Sequence, residues 1–222
     1  YWDEAADSAK KYGAAISDVI SSTADWSRLG YSLNEAKELS DATTLLQRVG
    51  DNMTQESSAQ GMISTLKGFN LEADQAMDIV DKVNEVANTQ PIDTSGMFES
   101  LQRSASSMSA ANNSLEQTMA LITAANSVVQ DPDRIGNAFK TISMRIRGAS
   151  TELEEAGLDT EGMAESTAKL REEVLALSGV DIMKSDSEFK ATYDILDELA
   201  TKWQDLTDIE QAKSCLYAQK CA

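Results

Sequence analysis

The chain has 222 residues, enough to bury a sizeable core as one large domain or two small ones. A formal net charge of −18 and a pI near 4.3 argue against nucleic acid and anionic membranes as partners, because both demand a surplus of Lys and Arg against phosphate. Histidine is absent, which excludes Ser-His-Asp and Cys-His nucleophiles and His-containing zinc sites within these residues.

Two prolines, few aromatics and abundant Ala, Ser, Glu, Asp, Leu and Met favour helix over strand, so an all-α protein is expected. Tyr1 to Leu29 reads as one long amphipathic helix, with Ala5, Ala9, Tyr12, Ile16, Val19, Ile20 and Trp26 as its apolar positions, lying outside the main bundle. From about Ser32 to Gly148 the pattern predicts three helical hairpins. Their core-facing stripes run through Leu33, Ala36, Leu39, Leu46 and Val49; Ala76, Ile79, Val80, Val83 and Val86; Leu115, Met119, Ile122 and Val129; and Ile135, Phe139, Ile142 and Ile146.

Helix starts are marked by side chains able to accept from exposed backbone N–H groups. Ser32 with Glu35, Ser114 with Gln117, Ser185 with Glu188 and Thr207 with Glu210 have capping-box spacing, and Asp131-Pro132 is a cap followed by proline at the first helical position. The hairpins resemble one another, with Glu35, Gln75 and Gln117 in similar places and Gly61-Met62, Gly96-Met97 and Gly136-Asn137 near the second stripe of each. That period of roughly 35–42 residues lies in the range of helical-hairpin repeats, although short amphipathic hairpins look alike without true repetition. A single helix of this length would extend ~330 Å, whereas these interruptions imply a bundle with a radius of gyration of ~17 Å.

After Gly148 the chain is more irregular. Gly157 and Gly162 bracket a connection, Leu170, Val174 and Leu177 form a short stripe, and Ser178-Gly179 through Ser187 is a polar break. A helix from about Ser187 to Leu206 follows, with Phe189, Tyr193, Leu196, Ala200 and Trp203 on one face. The expected organisation is therefore an N-terminal amphipathic helix (1–30), a helical-hairpin core (31–148) and a looser C-terminal helical subdomain (149–222). With Tyr1 in place of an initiating methionine and an abrupt end at Ala222, the sequence reads as a piece of a longer polypeptide. It has no apolar run of about 18 residues and no signal sequence.

No catalytic residue, cofactor or metal site is assigned. Glu152, Glu154 and Glu155 read as a solvated helix start favoured by the helix dipole. Asp51-Asn52, Asp131-Pro132-Asp133 and Asp205 to Asp208 lack the ligand spacing of a calcium loop. Cys215 and Cys221, six apart, are wrongly spaced for a CxxC site. The serine-rich run Ser104 to Ser114 has no glycine-flanked nucleophile and reads as a helix end and a turn. Met62, Met77, Met97, Met119 and Met144 read as core filling, and Trp203 as a half-buried helix end.

Arg134, Lys140, Arg145 and Arg147 make a basic island on an acidic chain. Arg134 and Arg145 are eleven apart and Lys140 and Arg147 seven apart, so two pairs align along one helix and are candidates for contact with an acidic partner. The competing reading is intramolecular pairing with Glu152, Glu154 or Glu155 at a helix C-terminus, where positive charge is already favoured.

At Ala138 to Leu158, AFKTISMRIRGASTELEEAGL, the order of helix, basic patch, Gly, acidic turn and Gly resembles the core region of phage tail tape-measure proteins, particularly of phages and prophages of Gram-positive bacteria. Gly162-Met163, Lys169-Leu170-Arg171, Gly179-Val180-Asp181-Ile182, Phe189-Lys190, Tyr193-Asp194-Ile195-Leu196, Trp203 and Leu206-Thr207-Asp208 follow in that family's order. Leu115 to Ile122 and Asn126 fit upstream, so the resemblance covers most of Leu29 to Gln211; the final KSCLYAQKCA departs from it. The resemblance implies a structural virion protein that occupies the tail tube, sets tail length during assembly in the host cytoplasm and is expelled during DNA delivery; with no identifiable acid–base pair in these residues, no enzyme is expected here. Its implied partners are other tail proteins and further copies of itself. A compact capped bundle is not itself an extended ruler, so this segment is expected to be a folded interaction module. The alternative is a non-phage helical-repeat interaction scaffold, which the hairpin periodicity favours.

Overall fold

A computed structural model describes residues 2–148, 157 and 167–211. The fold is all-α apart from one small β-hairpin. The N-terminal segment is two helices, α1 (Trp2–Tyr12) and α2 (Ile16–Arg28), where one was expected. Gly13 adopts φ +66° and the Ala14 N–H donates to the Ala9 carbonyl at 2.9 Å, the pairing of a left-handed helix terminus that glycine adopts without a Cβ penalty. Nor does this segment stand outside the bundle. Ala5 and Ala9 pack against Val19, Lys37 pairs with Glu4 at 2.6 Å, and Ser8 donates to Asp41. Trp26 is buried in the main core, with the Tyr31 ring edge-on to it at 5.7 Å.

Three hairpins follow: α3 (Leu33–Val49) with α4 (Gln55–Phe69), α5 (Ala76–Thr89) with α6 (Thr94–Ala110), and α7 (Leu115–Val129) with α8 (Pro132–Ile146). Ser32 and Ser114 form the expected capping boxes with Glu35 and Gln117, and the Asp131 side chain accepts from the Arg134 N–H ahead of Pro132. Thr54 with Ser57 and Asp93 with Gly96 supply the caps that spacing alone had not revealed. Leu39, Leu46, Met62, Leu66, Ile79, Met97, Phe98, Leu101, Met108 and Ile122 are fully buried in one core, each stabilising by about 1.5–3 kcal/mol. Leu33, Val49 and Val129, expected on core-facing stripes, are exposed because they sit at the ends of their helices.

The second helices of the hairpins, α4, α6 and α8, lie side by side and parallel, with α6 central. A Cβ on Gly61 would stand 2.7 Å from the Phe98 ring, and one on Gly68 2.6 Å from Ala105, an offset of 37 residues in both cases (98 − 61, 105 − 68). On the other side Pro132 meets Gly96 and Gly136 meets Ser100, an offset of 36 (132 − 96, 136 − 100). The constant offsets make the helices parallel. They also show that Gly61, Gly96 and Gly136 do not share one register, since the position facing Gly61 is Phe98. Two buried hydroxyls here bond inside their own helix, Thr65 Oγ1 donating to the Gly61 carbonyl and Ser104 Oγ to the Ser100 carbonyl, each at 2.8 Å, while Ser100 Oγ donates across to the Pro132 carbonyl at 2.6 Å.

The C-terminal part comprises α9 (Thr167–Ser178), β1 (Met183–Ser185), β2 (Glu188–Phe189) and α10 (Thr192–Lys202), followed by the short 3-10 turn Trp203–Asp205. The helix expected from about Ser187 starts at Thr192, and Ser185 does not cap it. Glu188 and Phe189 pair antiparallel with β1 instead, and the Lys190 N–H donates to the Ile182 carbonyl at 3.0 Å. Ala200, expected on a core stripe, is exposed. Thr207 and Glu210 form the expected reciprocal bonds, with the Thr207 N–H donating to Glu210 at 2.8 Å. Val180, Ile182 and Ile195 centre a separate hydrophobic cluster that Ile146 joins to the end of α8.

Gly136→Ala tests the close approach. Alanine is the better helix former by about 1 kcal/mol, but its Cβ would lie 2.6 Å from the Ser100 carbonyl oxygen and 2.9 Å from its Cα. A net loss of about 1–3 kcal/mol is expected, read as a lower midpoint in thermal or urea unfolding.

Candidate functional site

The basic island is built on α8, whose Asp131 cap and Pro132 fix its start and whose end is set by Gly148 at φ +69°. Arg134, in the first turn, is exposed, whereas Lys140, Arg145 and Arg147 are half-buried. The four do not form one patch. The Arg147 guanidinium lies over the Phe189 ring, 5.1 Å from its centre, and burial lowers its pKa. Its Nη2 is buried without a hydrogen-bond partner, so Arg147 serves the joint between α8 and β2. Glu152, Glu154 and Glu155, the alternative partners of the island, lie outside the described residues, as do Gly162-Met163, Cys215 and Cys221.

That joint has a second half which the sequence pattern did not expose. Ala191 occupies the N-cap position of α10 and has no side-chain acceptor. The Tyr193 N–H donates instead to Asn113 Oδ1 at 2.8 Å, so a residue 80 positions away supplies the missing cap. Asn113 is buried, and its Nδ2 donates to the carbonyls of Met108 and Ala111, which fixes the amide's orientation. Asn112, at φ +62°, donates from Nδ2 to the Phe189 carbonyl at 3.0 Å. Ser143 Oγ lies 3.1 Å from Thr192 Oγ1 and 3.0 Å from Met108 Sδ. The turn between α6 and α7 and the last turns of α8 therefore clamp the strand and the start of α10. The only sequence signal was the Asn112-Asn113 pair, since asparagine tolerates a left-handed conformation and bonds to backbone.

The remaining electrostatics are structural in character. Arg171 holds Asp181 in a bidentate pair at 2.8 and 2.6 Å; with the Met183 N–H also donating, the Asp181 pKa falls to about 2. Lys82 bridges Asp78 at 2.6 Å and Glu116 at 2.5 Å, and its hydrogen bond draws the Glu116 pKa down to about 2. Among the described residues no group of three or more His, Cys, Asp or Glu is placed to hold a metal ion, and no helix is long and apolar enough to cross a membrane. Among the described residues these pairs tie α5 to α7 and α9 to the segment before β1.

Asn113→Ala is expected to cost about 1–2 kcal/mol through loss of the cap, with the Tyr193 amide and the first turn of α10 losing hydrogen-exchange protection before the α4–α6–α8 layer. Acid should weaken the fold too. Carboxylates whose folded pKa is depressed stabilise fully above their unfolded values and lose that contribution as pH falls through the folded values. For Glu116 and Asp181 the window runs from about pH 4.5 to about 2. Urea midpoints across that range should fall in the parent chain and fall less steeply in Glu116→Gln and Asp181→Asn.

A family model described as phage-related minor tail protein matches residues 4–216. No solved structure matches the chain.

Proposed function

Because the chain belongs to the phage-related minor tail protein family, we propose that it is the core region of a tape-measure protein, acting in tail assembly, tail-length determination and DNA delivery. A structural role in the phage tail, beside other tail components, is the common property of that family; the length and delivery roles are the finer reading. The observation that supports a folded module is the glycine-tight layer of α4, α6 and α8. Among the described residues the longest helices, α3 and α6, have 17 residues each, about 25 Å, against ~330 Å for the chain drawn as one helix. Folded in this way, the segment is too short to act as a ruler in proportion to its sequence, so it organises contacts while length is measured elsewhere in the parent protein. Residues 31–148 act as the hairpin core and 149–222 as a subdomain, of which Phe189 and Tyr193 are held by Asn112 and Asn113. Within the basic island Arg134 is the residue that faces an acidic tail partner, while Arg147 is committed to Phe189.

In-frame deletion of residues 31–148 from the parent gene tests this by electron microscopy of the tails. Tails that still assemble are expected to keep their length. Shortening by about 1.5 Å per deleted residue would make the segment ruler sequence and overturn the reading. In the same phage, Arg134→Glu should reduce the yield of complete tails with the chain's melting temperature unchanged; normal yield would remove Arg134 from the contact.

A further inference from the structure

The first helices of the hairpins are spaced differently from the second. Whereas α4, α6 and α8 touch closely, α5 and α7 stand apart and leave an open groove of about 830 Å³ between them. At one end Lys82 bridges the helices to Glu116, and at the other Asn126 Nδ2 donates to the Pro91 carbonyl at 2.7 Å, so the groove is held open between two fixed ties. Its α7 wall is unusual for this chain. A quarter of the whole sequence is charged, yet Leu115–Val129 contains one charged residue, Glu116, and its groove-facing side carries the exposed Ala120 and Ala124. A helix that is apolar on its outward as well as its inward face is normally covered on both.

The walls define what fits. Glu116, Ala120, Thr123, Ala124 and Ser127 recur at helical spacing over about 17 Å of α7, roughly three turns. Small side chains along such a row let another helix approach closely, as they do between α4, α6 and α8. Both walls are helices with their backbone groups bonded internally, so the groove has no sheet edge to accept a strand. Its rim is acidic: Asp81, Glu85 and Glu116 line it, and its single cation, Lys82, is engaged by Asp78 and Glu116. We propose that the α5–α7 groove is a docking site for an amphipathic helix of a partner protein, with small and apolar residues on its buried face and Lys or Arg along its flanks. The apolar face covers Ala120, Ala124 and Val86, and the flanking cations meet Asp81 and Glu85. This assignment rests on the groove and is independent of the tail-length reading.

The test uses the 222-residue chain and three fluorescein-labelled synthetic peptides of about 14 residues, roughly four turns: a Leu/Ala helix flanked by Lys, the same helix flanked by Glu, and a scrambled Lys peptide of identical composition. Fluorescence anisotropy is expected to show binding of the Lys-flanked helix alone. Ala124→Arg, at an exposed position, should weaken it by at least about tenfold with the circular dichroism melt unchanged, while Asp74→Lys, an equal or larger charge change outside the groove, should leave it intact. The double variant Asp81→Lys/Glu85→Lys should shift preference to the Glu-flanked helix. Absence of binding, equal binding of the scrambled peptide, or indifference to Ala124→Arg would overturn the proposal. A dimer in sedimentation that Ala124→Arg dissociates would place a second copy of the chain in the groove instead.

Discussion

The close parallel approach of α4, α6 and α8 is the constraint on which the rest of the molecule depends. It exists because Gly61, Gly68 and Gly136 present no Cβ where Phe98, Ala105 and Ser100 cross them, and because the hydroxyls of Thr65 and Ser104 bond to carbonyls of their own helices. Interiors pack at crystal-like density, so a single methyl group at such a crossing displaces backbone rather than filling space. The stabilising element is therefore as much the absence of side chains as the presence of Leu, Met and Phe around them.

The second helices carry large core side chains as well, Met62, Leu66, Met97, Phe98, Leu101, Met108 and Phe139, while α5 and α7 leave the groove between them. The layer also sets where the turn between α6 and α7 emerges, which is what brings Asn112 and Asn113 against Phe189 and Tyr193. Arg147, at the end of α8, reaches the same strand from the other side. The joint therefore has one side from the turn between α6 and α7 and the other from the end of α8.

The chain has a net charge of −18, and several of its cations are already held by carboxylates: Lys37 by Glu4, Lys82 by Asp78 and Glu116, Arg171 by Asp181, Lys190 by Glu198. These surface pairs contribute little individually to stability. Their effect is to fix geometry, as Lys82 does at the groove, and to leave the outward field negative.

Much of the helical pattern was legible in the residues because the forces that start and orient a helix act within a turn. Ser32 with Glu35 and Ser114 with Gln117 close their bonds across three residues, Asp131-Pro132 needs only its own backbone, and stripes such as Ala76, Ile79, Val80 and Val83 record which face meets a core. Where the reading failed, the deciding partner was local but conformational, as at Gly13, or distant. Glu188 and Phe189 had a helical pattern, yet Arg147, Asn112 and β1 hold them extended. Arg134 and Arg147 belonged to one basic island in the sequence, and burial separates them. By itself the sequence determined the all-α class, the helix starts after Ser32, Ser114 and Asp131 and the acidic character, since these depend on neighbours within four residues and on composition. Tertiary structure alone decided the parallel register of α4, α6 and α8, the capping of α10 by Asn113 and the opening between α5 and α7, because each is set by contacts between residues some 30 to 80 positions apart.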